Sequence, residues 1–175
     1  MEDGTSFAAP HVAGGVALLL QKHGEMSKDE VLGILGPSAT PLVNSFGMPW
    51  PADHQGSGRL DLSKAVRSTI SIIPHQVAIN LASRQLAYAR SIRIESLLDS
   101  PASVSVELDW RFSSSVSIST NSSSLVLSGK EPRFIGLSAE LVDPTSSQGR
   151  LEGRLIVNVE SEPEPLALTL PIVVN

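Results

Sequence analysis

Ser6 is the residue in this chain best placed to do chemistry. It follows Gly4-Thr5 and opens a stretch, Ser6 to about Lys22, that reads SFAAPHVAGGVALLLQK. The stretch lacks strand alternation and predicts a helix, with Gly24 placed to stop it in left-handed geometry. A serine at a helix N-terminus sits where unpaired backbone N–H groups and the positive end of the helix dipole converge. From there its Oγ can attack a carbonyl carbon while its own N–H points at the oxyanion that forms. Gly4 lets the backbone turn sharply, and Ala8, Ala9 and Ala13 leave room for a substrate backbone and for close packing. The plainer reading of the same serine is a cap on a buried helix.

A nucleophile needs a base, and none is in reach. His11 is the nearest histidine in sequence, but five helical steps of about 100° place it roughly 140° around the axis from Ser6. His23, His54 and His75 show no metal-ligand spacing, and Asp53-His54 reads as a solvated loop pair. Cysteine is absent, which excludes disulfides, thiolate zinc sites and cysteine nucleophiles. There is no G-x-S-x-G elbow and no S-x-x-K dyad, and Gly56-Ser57-Gly58 is too short and lacks the lysine of a phosphate loop. Asn121-Ser122-Ser123 fits a glycosylation sequon but reads as a polar loop. Trp50, in Met48-Pro49-Trp50-Pro51, is a candidate contact for substrate or a neighbouring domain. No cofactor and no metal is expected.

The elements that would hold Ser6 fall into two rhythms that change near residue 70. A second helix begins at Ser27, where Ser27-Lys28-Asp29-Glu30 has capping-box spacing, and it is expected to stop at Gly36-Pro37. Residues 37–60 are rich in Pro and Gly and read as irregular chain, followed by a helical turn from Leu62 to Val66. Beyond that the beat is two. Val104, Val106, Leu108, Trp110 and Phe112 share one face, and Ser103, Ser105, Glu107, Asp109 and Arg111 the other. The same alternation recurs at Val77-Ile79-Leu81, Ile92-Ile94, Val116-Ile118, Ile135 to Leu141, Leu151 to Val159 and Leu166 to Val174. These strands predict an antiparallel β-sandwich, with Trp110 in its core and with Pro171 placing the last strand at an edge locally.

Charge and size add limits. The 175 residues carry 13 Lys+Arg against 18 Asp+Glu, a net of −5, with no basic run. That argues against nucleic acid or an anionic membrane surface as partner. No apolar run reaches the roughly 18 residues of a spanning helix, and Met1-Glu2-Asp3-Gly4 lacks the basic opening of a signal peptide. The first helix is apolar around most of its circumference (Phe7, Val12, Val16, Leu18, Leu19, Leu20), with Ala and Gly in the gaps. Such a helix belongs inside a larger domain, because each large side chain left in water forgoes roughly 1.5–3 kcal/mol. Seventy residues with two helices cannot surround it. The expectation is that part of its domain is missing, that residues 1–70 are loose without it, and that residues 72–175 can fold alone.

The string Gly4-Thr5-Ser6-Phe7-Ala8-Ala9-Pro10-His11-Val12-Ala13-Gly14 closely resembles the nucleophile segment of subtilisin-like serine proteases, departing from G-T-S-M-A-x-P-H-V-A-G only at Phe7. Gln55-Gly56-Ser57-Gly58-Arg59-Leu60-Asp61 with Lys64-Ala65-Val66 is similar to the closing segment of the same domain. The strands beyond are similar in architecture to the fibronectin type III-like domains that follow it in larger subtilases. The resemblance implies an α-plus-β chain in which residues 1–70 are the helical C-terminal remnant of an α/β catalytic domain and residues 71–175 the sandwich. It implies Ser6 as catalytic nucleophile of a peptide-bond hydrolase, with the Ser6, Gly4 and Thr5 backbone supporting the oxyanion. His11 becomes a packing residue. In this family the triad runs Asp, His, Ser, and the asparagine of the oxyanion hole also lies upstream, so all three would precede Met1. The chain alone is therefore expected to be inactive, its substrate a polypeptide, its partner the missing N-terminal part, and its location extracellular or at the cell envelope. Two other readings stand beside this one: a non-catalytic sandwich module with a vestigial protease segment, and a chain that complements a separately encoded N-terminal half.

Overall fold

The computed structural model describes residues 4–80, 87–110, 115–143, 151–160 and 166–174. Four helices come first. Helix α1 (Thr5–His23) stops at Gly24, where φ is 81° and the N–H donates to the Leu20 carbonyl. Helix α2 (Lys28–Ser38) opens on the expected box: Ser27 Oγ accepts from Glu30 N–H at 3.3 Å, and Glu30 Oε2 accepts from Ser27 N–H at 2.6 Å. It runs past Gly36 and through Pro37, correcting the earlier stop. A proline in the last turn forfeits a single helical bond, and burial of Pro37 offsets the loss. Helix α4 (Leu62–Arg67) is capped by the Asp61 carboxylate, which accepts from Lys64 N–H at 2.9 Å.

The segment read as irregular is ordered. A hairpin is pinned by Asn44, whose side-chain oxygen accepts from Phe46 N–H at 2.9 Å and Met48 N–H at 3.0 Å, while Trp50 N–H donates to the Leu42 carbonyl at 2.9 Å. The short helix α3 (Ala52–Gln55) follows. Paired bonds between Thr40 and Arg59, both 2.8 Å, close the base of the loop.

Among the described residues, nine strands form two packed sheets: β1 (Ile70–Ile73), β2 (Val77–Ile79), β3 (Ala87–Ser96), β4 (Ala102–Asp109), β5 (Val116–Thr120), β6 (Ser124–Leu127), β7 (Arg133–Leu141), β8 (Leu151–Glu160) and β9 (Leu166–Val174). The orders are β1-β3-β7-β5 and β2-β9-β8-β4-β6. Inward residues of both sheets make one core, with Ile92, Ile94, Ile135 and Leu137 from one facing Val104, Leu155, Val157 and Leu168 from the other. Trp110 packs half-buried against that core, and its Nε1 donates to the Val116 carbonyl at 2.7 Å. Leu81, Arg111 and Phe112 lie outside the described residues.

One pairing departs from expectation. β2 runs parallel to β9, with Val77 opposite Ile172 and Ile79 opposite Val174, so the sandwich is antiparallel except at this edge. The chain crosses from β1 in one sheet to β2 in the other, and the whole sandwich then serves as the long connection that a parallel pair requires. β2 reaches only Ile172–Val174, so Pro171, opposite Arg154 of β8, has no β2 residue across from it. A residue without an N–H fits there.

Candidate active-site segment

Ser6 is the second residue of α1, and it is exposed. Gly4 precedes the helix with φ 154° and ψ 154°, a backbone state that is essentially glycine's alone. Its carbonyl accepts from Phe7 N–H at 3.1 Å, so the helix begins immediately. No side chain caps this end and no acidic residue occupies the first turn. Among the described residues no side chain caps the positive end of the helix beside the Ser6 hydroxyl, where an anion or a developing oxyanion is favoured. Pro10 lies inside the helix one turn on, so the Ser6 carbonyl has no i+4 donor.

The terminus brings Gly4, Thr5 and Ser6 together, and none of the chain's four histidines joins them. His11 Nδ1 bonds the Phe7 carbonyl at 2.7 Å, which ties the imidazole to its own helix. His23 is seventeen residues along α1, about 25 Å away at 1.5 Å per residue. Burial pulls its pKa down, with a smaller push from Lys22. His54 sits in α3 with its ring centroid 6.4 Å from that of Trp50. His75 follows β1 and lies against Gly36 of α2. Among the described residues no group of three or more His, Cys, Asp or Glu side chains could hold a metal ion.

The helix that carries Ser6 is covered on one side only. Gly15 and Leu19 are buried, Gly15 against Leu62, Leu35 and Leu60. Phe7, Val12, Leu18 and Leu20 are 40–48% exposed. The outer side of α1 thus presents a row of large apolar side chains to water.

One concavity escaped the sequence reading. A cleft of about 260 Å³ separates the hairpin from the outer face of the sandwich, with Met48 and Trp50 on one wall and Asp109, Glu152, Arg154 and Pro171 on the other. Burial pulls the Arg154 guanidinium down from its usual pKa, opposed by Asp109 and Glu152. Glu152 Oε2 also accepts from Ala52 N–H at 2.8 Å. The Trp50 motif hinted at such a surface, but nothing local could pair Ala52 with a residue a hundred positions away.

Comparison with known proteins addresses the first third of the chain. Residues 1–58 match the model of the subtilase family. The minor extracellular protease Vpr of Bacillus subtilis (strain 168) is 30% identical over 73 residues, covering 42% of this chain and 9% of that protein. Bacillopeptidase F of the same organism is 41% identical over 64 residues, covering 37% and 4%. Subtilisin E, also from that organism, is 38% identical over 65 residues, covering 37% and 15%. The chain thus spans a small part of each of these relatives. Among solved structures, the periplasmic chaperone SfaE overlaps 61% of this chain and 57% of its own at 7% identity and a TM-score of 0.46. WR4, an MSP family member of C. elegans, overlaps 62% and 100% at 10% identity and a TM-score of 0.45. The two-sheet assignment rests on strand register and the shared core, not on these likenesses. Residues 1–58, which carry Ser6 near the start of their first helix, are thus the part of the chain that is similar to subtilisin-like proteases.

Proposed function

We propose that this chain is the C-terminal portion of a subtilisin-like serine endopeptidase whose polypeptide substrates are cut through an acyl-enzyme on Ser6. Residues 1–70 would be the closing part of the catalytic domain and residues 71–175 a fibronectin type III-like sandwich. The observation that carries the reading is the exposed Ser6 at an uncapped helix N-terminus, entered through Gly4 at φ 154° within the matched segment.

The chemistry follows from that placement. Ser6 Oγ attacks the scissile carbonyl, its proton passing to a histidine supplied by the upstream part of the domain and oriented there by an aspartate. The Ser6 N–H faces the developing oxyanion, and Gly4 and Thr5 set the backbone that aims it. The upstream asparagine donates the second hydrogen bond. No resident metal or cofactor takes part. Alone, the chain holds one triad member of three and should be inactive. The match to a protein named as extracellular supports an extracellular or cell-envelope location.

The test is Ser6→Ala in a longer protein that includes the upstream part, read by peptide hydrolysis and by labelling with a serine-directed phosphonate. Loss of both, with folding intact, is the expected result. Hydrolysis that survives the substitution would remove Ser6 from the mechanism.

A further inference from the structure

The helical segment and the sandwich meet along a junction built from three separate contacts. The first is a backbone-close seam. Helix α2 packs on β1 and β9 and presents Gly33 and Gly36, one turn apart, to the sandwich side. A Cβ on Gly33 would lie 2.9 Å from the Ile72 carbonyl oxygen and 3.0 Å from Ile73 Cγ1, and one on Gly36 would lie 3.0 Å from His75 Cβ. Gly33 therefore lies directly against the β1 main chain with no room for a side chain, and Gly36 lies against the His75 side chain just beyond β1.

The second contact is a plug. Leu97, at the end of β3, packs against the small helical core of Leu19, Val31, Ile34, Leu35 and Ala65, and its N–H donates to the Thr69 carbonyl at 2.8 Å. The third is the Glu152 carboxylate of β8, which takes the Ala52 N–H at the start of α3. That bond fastens the hairpin loop to the sandwich across a hundred residues of chain.

We propose that the sandwich is the obligate folding partner of residues 4–67: the two parts unfold as one cooperative unit, and the sandwich keeps α1 folded while its outer apolar face is uncovered. The helical core is too small to stand alone. It buries five hydrophobic residues among those described, against twenty in the sandwich, and a small core of this kind is marginal without added support. The sandwich supplies it through the seam, the plug and the carboxylate. The change of rhythm near residue 70 then marks a boundary in the pattern of the sequence and not in stability. Peptide hydrolysis plays no part in this inference, so it stands or falls independently of the Ser6 reading.

The experiment uses the whole chain. A Trp50→Phe variant leaves Trp110 as the sole indole and so the reporter of the sandwich, while far-ultraviolet dichroism at the helical band reports residues 4–67. On heating, the two signals should change at one midpoint. Gly33→Val should lower both midpoints together by several degrees. Should Gly33→Val fail to fold, Glu152→Ala serves instead: losing the bond to Ala52 should lower the helical and Trp110 midpoints together. Two separated transitions, the helical one first and the Trp110 one unmoved by Gly33→Val, would overturn the proposal. So would a Glu152→Ala variant whose helical midpoint falls while the Trp110 midpoint stays in place.

Discussion

The helical segment and the sandwich solve the burial problem differently. Each sheet of the sandwich has one apolar face, and the two faces close on each other, so Ile92, Leu137, Leu155 and Leu168 are fully buried without help from outside. Helix α1 is apolar on nearly every side, and the chain covers only the side bearing Gly15 and Leu19. A period-two pattern states how many faces must be covered. An all-round apolar helix states that more cover is needed than two short helices provide. The difference teaches that the demand for cover can be read region by region.

The sharpest way to break the comparison is catalytic. In a protein that includes the upstream part, Ser6→Ala should reduce peptide hydrolysis by about 10³-fold or more, measured as kcat/KM on a peptide substrate. The same assay on the present chain should give no turnover. Hydrolysis by the chain alone would mean that the helical segment is not missing its partners.

Packing gives the next largest effect. Leu155→Ala in the sandwich core should cost about 2–5 kcal/mol in denaturant unfolding, because Leu155 is fully buried. Leu18→Ala on α1 should change the stability of this chain by no more than about 0.5 kcal/mol, because Leu18 is 45% exposed. In the longer protein the Leu18 cost should rise towards the core value. An equal cost in both would show that the exposed face of α1 receives no cover from upstream.

Two smaller effects concern how α1 and α2 are held. Ser27→Ala should cost about 1 kcal/mol by removing the box at the start of α2. The Ser27 side-chain and backbone hydrogen bonds hold the Glu30 carboxyl below its usual 4.5. A lowered carboxyl pKa adds stability above 4.5 that is lost as pH falls through the folded value. Acid titration should therefore show a weaker dependence in Ser27→Ala than in the parent. His23 acts in the same direction at higher pH. Burial lowers its pKa below 6.5, and its Nε2 is shielded with no hydrogen-bond partner. Below pH 6.5 the unfolded chain takes up a proton that the folded chain resists, so stability should decline from there downward. His23→Gln should flatten that part of the profile.

Much of this architecture was legible. The helix from Ser6, the Ser27 box, the turn after Asp61 and seven of the nine strands follow from period and capping alone, because those signals are local. The misses share a cause. β1 and β6 are four residues each, too short to show a period, and β2 pairs in parallel because of where the chain crosses between sheets. Pro and Gly obscure the hairpin at 42–50 in the sequence, although Asn44 before Ser45-Phe46-Gly47 is a turn signal in its own right.

The site divides in the same way. Gly4-Thr5-Ser6 and the helix that follows lie in one short run, so residue type and spacing alone point to Ser6 as the candidate and away from His11 as its base. What only the tertiary structure decided is which faces are covered. It set Gly33 against the Ile72 carbonyl, Leu97 into the helical core and Glu152 beneath Ala52, and it left Phe7, Val12, Leu18 and Leu20 in water. Those contacts join residues tens of positions apart. Local pattern specifies which face must be buried, whereas what buries it depends on how the chain returns to that face, and no periodicity encodes the return.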